Sequence, residues 1–255
     1  MKTRLTSIIM FSAVFFASAN VFAEYLGMDD FEYSDGEILG KNGGTGFERV
    51  GTKSSWELAF GQSSNVLISN NKLKVTNGGA RRSYGSDAHN SAVKGAGKVF
   101  FTSDLTIGDA NSWGGMSSFD FGAERVFFGW KGGKWRIEEN GVSHTESPTL
   151  IAESGKTYKL IAMVDFDNDR VRFWINPTGS SKEDTADIER VYTPNNWHSA
   201  VRLGSGGDAQ FDNFKVSTTF EEALNVPEPA TMLLLLGGAA GLISRKSRRP
   251  KTVIK

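Results

Sequence analysis

Three carboxylates at alternate positions, Asp165, Asp167 and Asp169 in the run Asp165-Phe166-Asp167-Asn168-Asp169, form the most explicit metal-binding pattern of the chain. Calcium takes oxygen ligands from loops, and this spacing matches the opening of an EF-hand loop. The match then stops, because Arg170 stands where that loop needs glycine and Asn176 where it needs a bidentate Glu. Calcium at these aspartates and a metal-free, Asx-rich hairpin turn are the two readings, and no other cofactor is expected. Catalysis has less to work with. Glycoside hydrolysis needs two carboxylates flanking one sugar bond, roughly 5–9 Å apart. The nearest acidic groupings, Asp120…Glu124 and Asp187-Ile188-Glu189, read as solvated strand edges or loops. His89, His144 and His198 are scattered in polar contexts and no Gly-x-Ser-x-Gly elbow occurs, so neither a zinc site nor a serine triad is expected. There is no cysteine, which excludes disulfides, thiolate nucleophiles and Cys-ligated metals. The chain therefore reads as a non-enzyme.

Tryptophan is the remaining handle. Sugars stack their apolar C–H faces on aromatic rings while Asn, Asp and Arg bond the hydroxyls. Of Trp56, Trp113, Trp130, Trp135, Trp174 and Trp197, most are expected in a core, where large aromatics usually go. Trp174 is the leading exception, because it alternates with Arg170 and Arg172 on one face of a strand. Trp113 and Trp197 join it through their polar neighbours Asn111-Ser112 and Asn195-Asn196.

The elements that must position these residues are strands. Between Glu24 and Asn225 no amphipathic helical period stands out. Short β-rich runs recur instead, each closed by Gly, Asn, Asp or Ser. The runs are Val66-Ser69, Lys72-Thr76, Lys98-Ile107, Arg125-Trp130, Lys134-Glu138, Thr157-Asp165, Arg170-Asn176, Ala200-Leu203 and Ala209-Ser217. Asn77-Gly78-Gly79, Lys131-Gly132-Gly133, Asn140-Gly141 and Gly204-Ser205-Gly206-Gly207 are the expected loops. This spacing predicts one all-β domain over residues 24–225, an antiparallel sandwich or barrel. In its best hairpin, Tyr158–Phe166 turns at Asp167-Asn168-Asp169 into Arg170–Pro177. Val171, Phe173 and Ile175 then face the core, and Arg170, Arg172 and Trp174 face a solvated concave surface.

The two ends read as addresses. Lys2 and Arg4, the apolar stretch Ile8 to Ala19 and the small residues of Val21-Phe22-Ala23 predict a signal peptide over 1–23, cut between Ala23 and Glu24. At the far end, Val226-Pro227-Glu228-Pro229 leads into an uncharged run from Ala230 to Ser244, roughly 22 Å long as a helix. That is shorter than a hydrocarbon core of ~30 Å. Arg245, Lys246, Arg248 and Arg249 follow, and such a basic cluster stays cytoplasmic, which places the body across the inner membrane.

Pro-Glu-Pro, a short Leu/Gly/Ala-rich helix and an Arg-rich tail, in that order over 226–255, resemble a PEP-CTERM sorting signal. The resemblance implies a Gram-negative host that makes exopolysaccharide. It also implies a transient anchor in the inner membrane and processing by an exosortase-like transpeptidase near Pro227-Glu228-Pro229, while the signal peptide at 1–23 implies handling by the Sec translocon and signal peptidase. The body resembles concanavalin A-like (LamG-type) jelly rolls. The resemblance lies in Asp30-Phe31-Glu32-Tyr33-Ser34-Asp35-Gly36, in Asn42-Gly43-Gly44-Thr45-Gly46-Phe47, in the hairpin ending Phe173-Trp174-Ile175-Asn176-Pro177, and in the closing run Phe211–Phe220. It implies that the closing strand returns beside the N-terminal one. The jelly-roll glucanases carry Glu-x-Asp-x-x-Glu on one strand, and neither acidic grouping here has that spacing.

Charge narrows the partner. The whole chain is neutral, with 29 basic and 29 acidic residues. Residues 24–225 alone hold 21 basic and 28 acidic residues, a net charge of −7. That opposes nucleic acid and anionic lipid as ligands and favours a neutral polysaccharide over an anionic one. The expected function is an exported, non-catalytic envelope or matrix protein that contacts exopolysaccharide. Adhesion to other envelope proteins is the alternative, and a divergent polysaccharide-degrading enzyme is a more distant one.

Overall fold

The β-rich runs all become strands. The computed structural model describes residues 25–49, 52–84, 96–120, 122–139, 141, 143–193 and 198–224. In chain order the strands are β1 (Gly27–Asp29), β2 (Gly36–Glu37), β3 (Thr45–Gly46), β4 (Glu48–Arg49), β5 (Thr52–Lys53), β6 (Glu57–Phe60), β7 (Val66–Ile68), β8 (Leu73–Ser83), β9 (Lys98–Ile107), β10 (Trp113–Asp120), β11 (Ala123–Lys131), β12 (Lys134–Glu139), β13 (Ser143–Ile151), β14 (Thr157–Asp165), β15 (Arg170–Ile175), β16 (Ile188–Val191) and β17 (Ala200–Ser217). One five-residue helix, α1 (Phe220–Leu224), follows. Among the described residues no helix is long and apolar enough to cross a membrane.

The 18-residue strand β17 is the spine. Up to Ser205 it lies between β8 and β10, with Gly204 opposite Gly79 on one side and Gly115 on the other. Its register shifts between Ser205 and Asp208, and beyond that point its partner is β9 instead of β10. A bulged strand that changes partner in this way turns the corner between two sheets. One sheet runs β13-β12-β11-β10-β17, the other β16-β15-β14-β9-β17, and all pairings are antiparallel. At their far edges Arg190 of β16 donates to Ser143 of β13 and reaches Glu139 of β12 at 3.2 Å, so the sandwich is nearly closed. Between the sheets Trp135 packs edge-on to Tyr158 with centroids 4.9 Å apart, and Phe128 lies 5.9 Å from Phe173. The end of β17 returns beside β1, pairing Gly27 with Val216 and Asp29 with Phe214.

Glycine is where the expected boundaries move. Gly204-Ser205-Gly206-Gly207 is not a loop but the bulge inside β17, and Asn77-Gly78-Gly79 lies inside β8. Their backbones stay in register, Gly78 with Ser205 and Gly79 with Gly204. Strand β10, Trp113-Gly-Gly-Met-Ser-Ser-Phe-Asp, carries no β-rich composition and is made a strand by its two neighbours, β11 and β17. Gly132 and Gly133 do form the expected turn between β11 and β12, with φ of 58° and 77°. Two positive φ values in a two-residue turn match the twist of the strands they join.

The segment before β6 is stapled down by one buried ion pair. Arg82 of β8, fully buried, donates to Asp29 of β1 at 2.5 Å and to the carbonyls of Gly43 and Ser54. Asp29 also accepts from the Tyr33 hydroxyl, the Trp56 indole and the Phe31 amide. Phe47 stacks under the guanidinium at 4.0 Å. Every hydrogen-bonding group of the pair has a partner, as burial of charge requires.

The helix corrects the expectation for Trp174. The alternation along β15 holds: Val171, Phe173 and Ile175 enter the main core, and Arg170, Arg172 and Trp174 point the other way. That second face is not an open groove. Trp174 is only 1% exposed, under α1, with the Phe220 ring at 4.9 Å and Phe100 at 6.5 Å. Its indole donates to the Lys182 carbonyl. Thr219 and Glu222 cap the helix reciprocally, the Glu222 amide donating to the Thr219 hydroxyl and the Thr219 amide to the Glu222 carboxylate. At its other end Thr102 and Lys159 bond the carbonyls of Ala223 and Leu224. A second, smaller core of Phe100, Ile161, Met163, Trp174, Phe220 and Leu224 is thereby closed.

Candidate functional site

The aromatic surface that remains open lies on the outer face of the other sheet. Pairing places Gly79, Gly204, Gly115 and Gly129 side by side on β8, β17, β10 and β11, with Phe60 at one end of the row and Arg136 at the other. With no Cβ along this lane, nearby rings lie against the backbone. A Cβ on Gly79 would sit 2.5 Å from Cε1 of Phe60, and one on Gly204 3.0 Å from the same atom. A Cβ on Gly129 would meet Cζ of Phe127 at 2.6 Å, and one on Gly206 the Trp113 Nε1 at 2.2 Å. Phe60 and Trp113 are half-buried and lie 5.6 Å apart at an interplanar angle of 29°, while Phe127 stands edge-on to Trp113.

These rings line a groove of about 440 Å³ together with Arg202, Glu124, Lys131, Glu138 and Gly141. Arg202 is its hub. The guanidinium lies 5.2 Å from the Phe60 ring centre and 5.7 Å from that of Trp113, and it donates to Ser117 and to Glu124, each at 2.7 Å. Burial pushes its pKa below the ordinary arginine value, and Glu124 opposes that shift. Lys131 sits 3.6 Å from Glu138, which also faces Arg136 at 3.5 Å. Flat rings beside paired carboxylates and cations can stack an apolar sugar face and bond its hydroxyls.

Of the residues expected at a carbohydrate surface, only Trp113 lies in this groove. Trp174 is buried elsewhere, and Arg170 and Arg172 pair with Glu189 on β16. Trp197 lies outside the described residues. Phe60, Phe127, Arg202 and Glu138 were not singled out by the sequence. The signal that could have found them is the recurrence of Gly-Gly in Gly78-Gly79, Gly114-Gly115 and Gly206-Gly207, read as strand interior rather than loop. At the aspartate run, Asp165 caps its own turn: its carboxylate accepts from the amides of Asp167 and Asn168 and from the Asn168 side chain. Among the described residues no group of three or more His, Asp or Glu is arranged to hold a metal ion. His144 is exposed beside Glu146, and buried His198 bonds the Tyr192 hydroxyl, while His89 lies outside the described residues. Asp187 accepts from the Ile175 amide, and Glu189 pairs with Arg170 and Arg172.

The described residues end at Leu224, and residues 225–249 match the model of the PEP-CTERM protein-sorting motif. The chain carries a PEP-CTERM sorting motif. The motif implies export and exosortase-mediated association with the cell envelope. Its expected elements, Pro227, Glu228, Pro229, Arg245, Lys246, Arg248 and Arg249, fall within the matched range but outside the described residues. Ala23 and Glu24, at the expected signal cleavage, also lie outside the described residues. No curated protein sequence matches this PEP-CTERM chain. Among solved structures its body is similar to the Trypanosoma rangeli sialidase in complex with the inhibitor DANA, at 11% identity and a TM-score of 0.51, covering 78% of this chain and 31% of that one. A chain described as a sialidase matches at 14% identity and a TM-score of 0.48, over 66% of this chain and 17% of its own. The botulinum neurotoxin serotype D binding domain matches at 9% identity and a TM-score of 0.47, over 75% and 50%. The PEP-CTERM chain thus spans less than a third of the length of the first sialidases it matches. At such identities the likeness concerns the β-sandwich fold alone.

Proposed function

We propose that this PEP-CTERM chain is an exported, non-catalytic envelope or matrix protein of a Gram-negative bacterium that contacts exopolysaccharide through the Trp113 groove. The observation that carries the binding reading is the pair of near-parallel rings, Phe60 and Trp113, held on a glycine floor beside Arg202. Rings already seated on the backbone lose little freedom when a ligand arrives. The two groove carboxylates support binding over hydrolysis, because Glu124 is engaged by Arg202 and Glu138 by Lys131 and Arg136. The sorting part rests on the motif at 225–249, with exosortase as the processing partner.

Two measurements test this. Deleting residues 226–255 should leave the protein exported but shift it between envelope and medium, and unchanged fractionation would sink the sorting part. Trp113→Ala should abolish retention on neutral polysaccharide gels while the chain remains folded by circular dichroism. Retention of an envelope protein by the wild type with no polysaccharide binding would instead favour adhesion. Release of reducing ends, lost in Glu124→Gln or Glu138→Gln, would make the groove an active site.

A further inference from the structure

We infer that the groove takes several consecutive residues of a neutral polysaccharide, its chain lying across the strands, and not a single sugar or an anionic polymer. This rests on the reading of the groove as a glycan site and adds the ligand's length, direction and charge. Length and direction come from the lane. Gly79, Gly204, Gly115 and Gly129 sit on four adjacent strands, and three inter-strand steps span roughly 14 Å. That exceeds any one sugar ring. Phe60 is seated over Gly79 and Gly204 at one end, and at the other the buried Phe127 ring lines the groove with its tip beside Gly129. Phe60 and Trp113, stacked with centroids 5.6 Å apart, form one aromatic wall of the groove. Charge is settled by the lining. Arg202 is matched by Glu124 and Lys131 by Glu138, so the groove cations are already neutralised within a body of net charge −7. A polyanion would meet two carboxylates without gaining an uncommitted guanidinium.

The glycines make the lane testable without removing a ring. Gly204 has no positive φ, and a Cβ there would meet the end of the half-buried Phe60 ring before anything else. Gly204→Ala therefore lifts Phe60 from the floor while the ladder stays paired. The full chain is titrated by calorimetry with β-1,3-gluco- and β-1,4-manno-oligosaccharides from monosaccharide to hexasaccharide, and with laminarin, galactomannan and alginate. Each additional stacked ring should tighten binding by up to about tenfold. Affinity should then level off once the lane is filled. Gly204→Ala should bring the hexasaccharide down towards the shorter sugars with its melting curve retained. Should Gly204→Ala unfold the chain, Phe127→Leu, at the other end of the lane, serves the same comparison. A monosaccharide bound as tightly as the hexasaccharide, or alginate preferred over the neutral polymers, overturns the inference and leaves the glycan reading standing. Binding of none of these sugars overturns both.

Discussion

The Phe220 ring sits 4.9 Å from the Trp174 indole, centroid to centroid, and closes the outer face of β9, β14 and β15 immediately before the sorting motif begins. Helix α1 is thus part of the folded body. Its last carbonyls are held by Thr102 and Lys159, which fixes the point from which the tail departs.

Phe220→Ala should destabilise the body by about 3 kcal/mol, the usual cost of deleting a buried ring. A chain ended after Leu224 should melt like the full chain, and one ended after Ser217 should melt lower and bind a hydrophobic dye. Circular dichroism of the three chains decides this, and equal melting temperatures would show that α1 contributes no stability.

The Asp29–Arg82 pair should behave as a coupled unit. Arg82→Met leaves a buried carboxylate without its cation and should cost about 3–5 kcal/mol. The double variant Asp29→Asn/Arg82→Met should lose clearly less than the sum of the two single variants. Strict additivity in urea denaturation would contradict the contact network around Asp29.

Alkaline pH should weaken the fold through its tyrosines. Burial, then the hydrogen bond to Asp29, raises the Tyr33 pKa above 10.0, and burial alone raises that of Tyr84. Both phenols stay protonated longer in the folded than in the unfolded chain. Their contribution is complete below 10.0 and is lost as pH rises through the folded values. Stability measured by urea unfolding should therefore fall above pH 10.0, and the fall should be shallower in Tyr84→Phe.

Calcium should leave the melting temperature unchanged, because the Asp165 carboxylate already caps its turn. Asp165→Ala should cost about 1 kcal/mol, the net worth of a typical hydrogen bond. A calcium-dependent rise in melting temperature, abolished by Asp167→Asn, would restore the metal reading.

Much of the fold was legible because period-two alternation survives any tertiary context. Lys98–Ile107 and Thr157–Asp165 are strands with the bounds read from their residues, and the inward set Val171, Phe173, Ile175 is the one found in the core. The sorting motif was legible for a different reason. It is a local signal, three features in fixed order, and needs no folded partner to be recognised.

Beyond Trp113 the site was not legible, and the cause is specific. Alternation assigns a side chain to a face of its sheet but not to what covers that face. Trp174 left the main core as its strand required, and a helix of five residues, Phe220–Leu224, came back to bury it. Trp113 stayed half-exposed because, among the described residues, no helix packs over it as α1 does over Trp174. Gly79, Gly204, Gly115 and Gly129 are distant in sequence, and Gly79 and Gly204 read as loop residues, yet the register of β8, β17, β10 and β11 lines all four up as a floor. The sequence alone determined strand faces, the acidic body and its sorting tail, all set by local composition and order. Which aromatic face meets solvent was decided only by the tertiary structure, because coverage depends on segments far apart in the chain.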